Sequence, residues 1–293
     1  MPMTEPTITP RTNSIYHRIL FILVVFVGGT VPLVANALDD VDGGTKVIAS
    51  ISLWALWAVL LTSVSIPSSI TLTALRLAAP THAAIVIVTA TTQLDAESAI
   101  AVVLTAAATS VAFMAEIGSY FVQRSAYGDE QRFLLRCPTP MAIVQILMWA
   151  LWVSSAIVGA LALVNEAWVA GGVLVALAIG GLVFLPQRFH RLSRRWLVKV
   201  PAGIVVHDHV LLAETAMFAR NALAAVEMTR GPIGDDADLA GGGRTPGLRI
   251  TLHDFDTVVM AASAGHPGGR AIHVRSFRIR PSRPGRALRA LQN

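Results

Sequence analysis

Three polar residues interrupt otherwise apolar stretches of this 293-residue chain, and any chemistry inside those stretches would fall to them: Arg76, His82 and Glu116. Charges in hydrocarbon are costly and usually face a partner or a cavity. Arg76 and Glu116 each fall about two turns from the same end of neighbouring antiparallel segments. The spacing therefore predicts an Arg76–Glu116 ion pair, either coupling a transport path or locking two helices together. His82 follows Pro80, a residue that frees a backbone carbonyl and can kink a helix. It reads as a proton-relay candidate or as a histidine bonded to a neighbouring helix.

A second set of reactive side chains lies in the last third. His207-Asp208-His209 puts two imidazoles on one face of a short strand, and His253, Asp254 and Asp256 add further donors. Zinc takes such ligands, so His207, His209 and His253 are the residues a metal would use, but His-Asp pairs at a strand end are common in structural roles. The run Gly241-Gly242-Gly243-Arg244 lacks the Lys-Ser/Thr and the strand–helix setting of a phosphate loop. No Ser-His-Asp or Cys-His arrangement is visible, a single cysteine (Cys137) rules out an internal disulfide framework, and nothing calls for a cofactor.

What must position these residues is dominated by apolar helices. The chain is 54% hydrophobic and 14% charged, which is not the composition of a soluble globular protein. A helix needs about 20 mostly apolar residues to cross a bilayer. Six windows qualify: 19–38, 47–66, 70–92, 98–122, 141–164 and 168–185. The links after the first, third and fifth carry no basic residue except Lys46, whereas Arg11, Arg18, Arg76, Arg124, Arg132, Arg136 and Arg188 flank the other ends. By the positive-inside rule both termini are cytoplasmic. Ala35-Asn36-Ala37 also reads as a signal cleavage site, an alternative that leaves the remaining threading unchanged. Gly172, Ala176 and Gly180 form a small-residue stripe suited to close packing. Trp-Ala-Leu-Trp occurs twice, at Trp54–Trp57 and Trp149–Trp152, positions that would correspond in an inverted three-plus-three repeat.

Residues 1–187 thus form a six-helix transmembrane domain, and 188–293 a small cytoplasmic domain rich in strands. Leu197–Val200 and Ile204–His207, separated by Pro201-Ala202-Gly203, read as a hairpin. Leu248, Ile250 and Leu252 alternate with polar residues as in a half-buried strand. Asp254-Phe255-Asp256 reads as a turn, Ala271–Arg280 as another strand and Ser282–Leu291 as a closing helix, while 231–247 reads as a mobile loop and 212–228 is ambiguous. The sum suggests a pleckstrin-homology-like domain, an analogy of fold and not of site. The tail from Arg188 holds sixteen Lys and Arg against eight Asp and Glu. Arg188, Arg191, Arg194, Arg195, Arg275, Arg278 and Arg280 are read as facing anionic lipid headgroups, where each basic residue is worth about 1 kcal/mol. A protein partner is also compatible, whereas no motif supports nucleic acid. The loop Ala126–Arg136 reads as docking on the tail, binding a small ligand or capping the bundle as an amphipathic helix.

Ser125-Ala126-Tyr127-Gly128-Asp129-Glu130-Gln131-Arg132-Phe133, Leu192-Ser193-Arg194-Arg195-Trp196, Val200-Pro201-Ala202-Gly203 and Val206-His207-Asp208 together resemble a group of actinobacterial multi-pass membrane proteins. The resemblance implies the same topology and a bacterial plasma membrane, and brings no catalytic residues with it. The expectation is a membrane-anchored scaffold or regulatory protein, with a small-solute or proton-coupled transporter at the Arg76, Glu116 and His82 level as the alternative.

Overall fold

The computed structural model describes residues 11–39, 43–92, 95–230, 236–242, 246–262 and 266–292, with side chains from residue 14. Arg11, Arg244 and the segments 231–235 and 243–245 of the glycine-rich stretch therefore lie outside the described side chains. Among the described residues eight helices make up the bundle: α1 (Arg11–Gly28), α2 (Thr30–Ala37), α3 (Gly43–Ser65), α4 (Ser69–Ala90), α5 (Ala96–Ala112), α6 (Ala115–Arg124), α7 (Thr139–Val164) and α8 (Trp168–Ser193). Five of the helical stretches are long and apolar enough to cross a membrane, or six if α5 and α6, bent by 58°, count as one. The window expected as a single span over 98–122 is thus broken at Phe113-Met114.

Local signals set several of these ends. Ser68 caps α4, accepting from the Thr71 amide while the Thr71 hydroxyl accepts from the Ser68 amide, a reciprocal capping box. His17 near the start of α1 donates to the Val64 carbonyl at the end of α3 (2.8 Å), and Ser125 after α6 accepts from the Ser69 amide (3.2 Å). The starts of α1 and α4 and the ends of α3 and α6 therefore gather at one end of the bundle. Only 11% of the α7 window and 6% of the α8 window is buried, against 44% for α4, so the α7–α8 hairpin turns most of its apolar surface outward.

Small residues enable the close approaches, although not those of the expected stripe. A Cβ on Gly181 would meet Trp152, one on Gly171 would meet Leu163 and one on Gly159 would meet Leu174; Gly172 and Gly180 face open space. The Gly172–Ala176–Gly180 stripe is therefore on the outer face of α8. The two Trp-Ala-Leu-Trp copies are used alike: Trp57 Nε1 donates to Val24 of α1 (2.9 Å) against Gly28, and Trp152 Nε1 to Ala178 of α8 (2.8 Å) against Gly181. One reaches the helix before it and the other the helix after it, so the pairing is not that of an inverted repeat.

Two four-stranded sheets and a helix complete the chain. The first has the order β1 (Gln131–Leu134), β2 (Trp196–Val200), β3 (Gly203–His207), β4 (Ala216–Ala219), all antiparallel. The second runs β5 (Leu223–Thr229), β7 (Gly247–Met260), β8 (Arg270–Ile279), β6 (Ala237–Asp238), closed by α9 (Pro284–Gln292). The expected hairpin is β2–β3, and its Gly203, at φ +152°, leaves no room for a Cβ, which would sit 2.1 Å from the Phe218 carbonyl. Two expectations are corrected. Asp254-Phe255-Asp256 is not a turn but an irregularity inside the 14-residue β7. The described part of the glycine-rich stretch is ordered by Asp238, whose carboxylate accepts from the Ala240 and Gly242 amides, with Leu239 fully buried.

The decisive feature is β1. It comes from the loop between α6 and α7, yet pairs with β2, which follows α8 directly. Side chains alternate across this sheet. Phe133, Leu135, Leu197, Ile204 and Val206 enter a core shared with the second sheet and α9. Leu134, Trp196 and Val198, with Val200 and Val205 beside them, enter a core shared with Leu20, Leu60, Leu75 and Phe121 of the helices. Both faces are buried, which is why Trp196–Val198 and Ile204–Val206 read as continuous apolar runs. The sheet region is thus packed onto the bundle, with its first strand drawn from within the helical half.

Leu134→Ala should cost about 2–5 kcal/mol, the usual range for emptying a buried leucine site. Thermal unfolding followed separately by a helix signal and by Trp196 fluorescence should show both moving down together, because one core serves helices and sheet; a shift in only one would contradict it.

Candidate functional site at the sheet–helix junction

The expected Arg76–Glu116 pair does not form, and the broken helix explains why. A continuous helix would have the Glu116 amide bonded to the Ala112 carbonyl; the break at Phe113-Met114 frees that carbonyl. Arg76 Nε approaches it at 3.4 Å, with its guanidinium 5.6 Å from the Phe113 ring centroid. Arg76 thus puts a cation at the C-terminus of α5, while Glu116 puts an anion in the first turn of α6, each matching its helix dipole. Glu116 faces Arg283 of the tail at 3.5 Å. Gly118 permits the arrangement, since a Cβ there would lie 2.6 Å from Leu134 and 2.9 Å from Arg76 Nη2. His82 is 1% exposed, and neither ring nitrogen has a hydrogen-bond partner among the described residues. The three residues expected to act together are therefore separate in their contacts.

Three of the arginines expected to face lipid are buried. Arg195 is 1% exposed and grips Asp208: Nε lies 2.9 Å from both carboxylate oxygens and Nη2 lies 2.8 Å from Oδ2. Its Nη1 donates to the Arg136 carbonyl (2.8 Å), and Asp208 Oδ1 also accepts from the Val210 and Leu211 amides. Arg278 and Arg280 are buried because the end of β8 lies between β7 and β6; Arg278 Nη2 donates to Thr229 Oγ1. Arg188, Arg191, Arg194 and Arg275 are exposed.

The proposed metal ligands do not converge. Asp208 is committed to Arg195, His253 is exposed on β7, and among the described residues no three His, Cys, Asp or Glu side chains form a group that could hold a metal. His207 and His209 do meet, with ring centroids 4.3 Å apart, but His207 is stacked on Trp196 (5.0 Å, 12°) and its Nδ1 lies 3.1 Å from Thr215 Oγ1.

That stack borders a feature the sequence did not announce. An open cleft of about 540 Å³ lies between the bundle-facing side of the first sheet and the ends of α4 and α8. Val198, Val200, Val205 and Ile70 make its wall apolar, while Arg132, Arg194, His190 and His207 supply donors around Trp196. Arg132 lies over the Trp196 ring at 5.0 Å and is paired with Glu130 through Nη2; its Nε, like His207 Nε2, is buried without a partner. His190 is held by Thr73, whose Oγ1 is 3.0 Å from its Nδ1. Burial, then the neighbouring His209, Arg194 and Arg132, pushes His207 down to about 4. The one sequence signal for this site was the alternation Arg132-Phe133-Leu134-Leu135, short enough to pass for loop.

Comparison of the chain with protein-family models, with curated proteins and with solved structures finds no match. The site stands on its own geometry.

Two outcomes follow. Asp208→Ala, which strands a buried guanidinium, should cost about 3–5 kcal/mol, with the double variant Arg195→Met, Asp208→Leu recovering part of that loss; denaturant midpoints in detergent measure both. For His207, the unfolded chain takes up its proton near the ordinary 6.5 and the folded one only near 4, so its contribution to stability holds above 6.5 and is lost as pH falls toward 4. Histidine NMR resolves this titration, and a His207 midpoint near 6.5 in the folded protein would contradict it.

Proposed function

We propose that this chain is an integral protein of a bacterial plasma membrane, crossing it six times with both ends of the chain in the cytoplasm. Its strand-rich region, read as pleckstrin-homology-like from two stacked sheets closed by a C-terminal helix, serves as a scaffold or regulatory module held against the inner leaflet. The carrying observation is the end of α8. Exposed apolar residues such as Leu177, Leu182, Val183 and Phe184 give way within three turns to exposed Arg188, Arg191 and Arg194. Arg18 and Arg124, also exposed, lie on helix ends gathered at the same end of the bundle. A cationic rim directly below an apolar belt suits anionic headgroups, and its effect is screened by salt.

His82 favours a second reading. A buried imidazole with two unpartnered nitrogens, in the helix that also carries Arg76, suits a proton-coupled transporter. Unchanged proton or solute flux in proteoliposomes on Glu116→Gln and His82→Gln would remove this alternative.

For the leading reading, the full chain is reconstituted with spin-labelled anionic and zwitterionic lipids, and the selectivity of the protein-bound fraction is read by electron paramagnetic resonance. Native protein should prefer the anionic lipid, and Arg188→Gln with Arg191→Gln should cut that preference by about fivefold for each residue at the surface, less at high salt. Equal association of both lipids with native protein would refute the reading.

A further inference from the structure

We infer that the cleft between the first sheet and the ends of α4 and α8 is a binding site for one phosphate-bearing group, held by Arg132, Arg194 and His207 with Trp196 as its wall. This deepens the headgroup reading and rests on it for the source of the ligand.

The argument begins with what the cleft contains that packing does not account for. Buried donors without partners are rare in native structures, because each forfeits its hydrogen bonds to water. Among the described residues two unpartnered buried nitrogens occur on this one wall: Arg132 Nε, and His207 Nε2, which is a donor when Nδ1 accepts from the Thr215 hydroxyl. Both side chains lie against the Trp196 ring, Arg132 at 5.0 Å and His207 at 5.0 Å from its centroid, and both line the same cleft. Their placement is fixed by the sheet. Arg132 is opposite Val198 and His207 opposite Trp196, which puts both on the bundle-facing side.

Charge and shape select the ligand. Arg194 is exposed at the mouth, while Glu130 is already occupied, accepting from Arg132 Nη2 and from the Tyr127 amide. What remains is a guanidinium edge, a second guanidinium and the His207 imidazole, with His190 beside them. That set suits an anion with several acceptor oxygens, since guanidinium and phosphate match in geometry as well as in charge. The start of α4, with Ser69 and Ile70 in the wall, adds the favourable end of a helix dipole. The wall of Val198, Val200 and Val205 is apolar, so the phosphate should carry an apolar or glycerol-like portion. A lipid phosphate at the membrane surface and a free phosphoester both meet that description. The shared chemistry is the phosphate, and His207, neutral at physiological pH, donates to it without a charge of its own.

The test titrates the full chain, in a neutral detergent, with dioctanoyl phosphatidic acid in one arm and glycerol 3-phosphate in the other, by isothermal calorimetry. The expected result is one saturable site per chain. Arg194→Gln, a surface change that leaves the fold intact, and Arg132→Gln should each weaken it about tenfold, and Arg188→Gln, outside the cleft, should not. Saturable binding in the first arm alone assigns a membrane lipid; equal binding in both assigns a free phosphoester; either supports the site. Absence of saturable binding in both arms, or affinity unmoved by Arg194→Gln, overturns it. Multiple weak lipid sites lost with Arg188 and Arg191 would sink the cleft while leaving the rim reading standing.

Discussion

A buried arginine fixes how the two halves of this chain meet. Arg195 lies at the point where α8 becomes β2, and its guanidinium is almost wholly removed from water. It reaches sideways to Asp208 beyond the end of β3 and to the carbonyl of Arg136 beyond the end of β1. Its own carbonyl accepts from the Leu135 amide, and the Arg136 amide in turn donates to Arg280 after β8. The side chain thus joins the interhelical loop to both strands of the hairpin, and backbone bonds carry the connection on to the approach to the last helix. Burying a pair costs several kcal/mol per ion, and good geometry with further hydrogen bonds is what offsets it. Here the carboxylate accepts from two backbone amides as well as from the guanidinium. Such a pair adds little net stability, and its bonds tie the ends of β1 and β3 to the start of β2.

Around that joint, the first sheet is an inner layer with helices on one side and a second sheet on the other. Lys199, polar within β2, meets this constraint by donating to the Ala290 carbonyl near the end of α9 (2.7 Å), where a cation suits the helix dipole. The same economy explains the charges within the apolar helices. Arg76 and Glu116 look like partners because they fall at matching depth, but each serves the helix end created by the break after Ala112. Glu116 is then available to Arg283 of the tail, a second tie between helices and sheet region.

Much of the architecture was legible because it follows from period and length. Apolar windows of about 20 residues gave the long helices, and Leu248, Ile250 and Leu252 gave a strand with one face inward. The break in the fourth window was not legible. It has no proline or glycine, and what stabilises it is a side chain from another helix. Arg195, Arg278 and Arg280 were misassigned to the surface for a related reason. An arginine in a basic segment is usually exposed, and only tertiary pairing with Asp208, or the position of β8 between two strands, reverses that. The cleft was the least legible feature, since Arg132 and His207 are 75 residues apart and reach one sheet face only because a loop strand pairs across two intervening helices.

Amide hydrogen exchange on the full chain in nanodiscs tests that joint most directly. The account predicts that the amides of 131–135 exchange as slowly as those of β2 and β3, and much more slowly than Tyr127–Asp129 just before them. Exchange of 131–135 at the rate of those loop residues, with β2 and β3 still protected, would contradict it: β1 would then be a loop, and the sheet region a tethered domain.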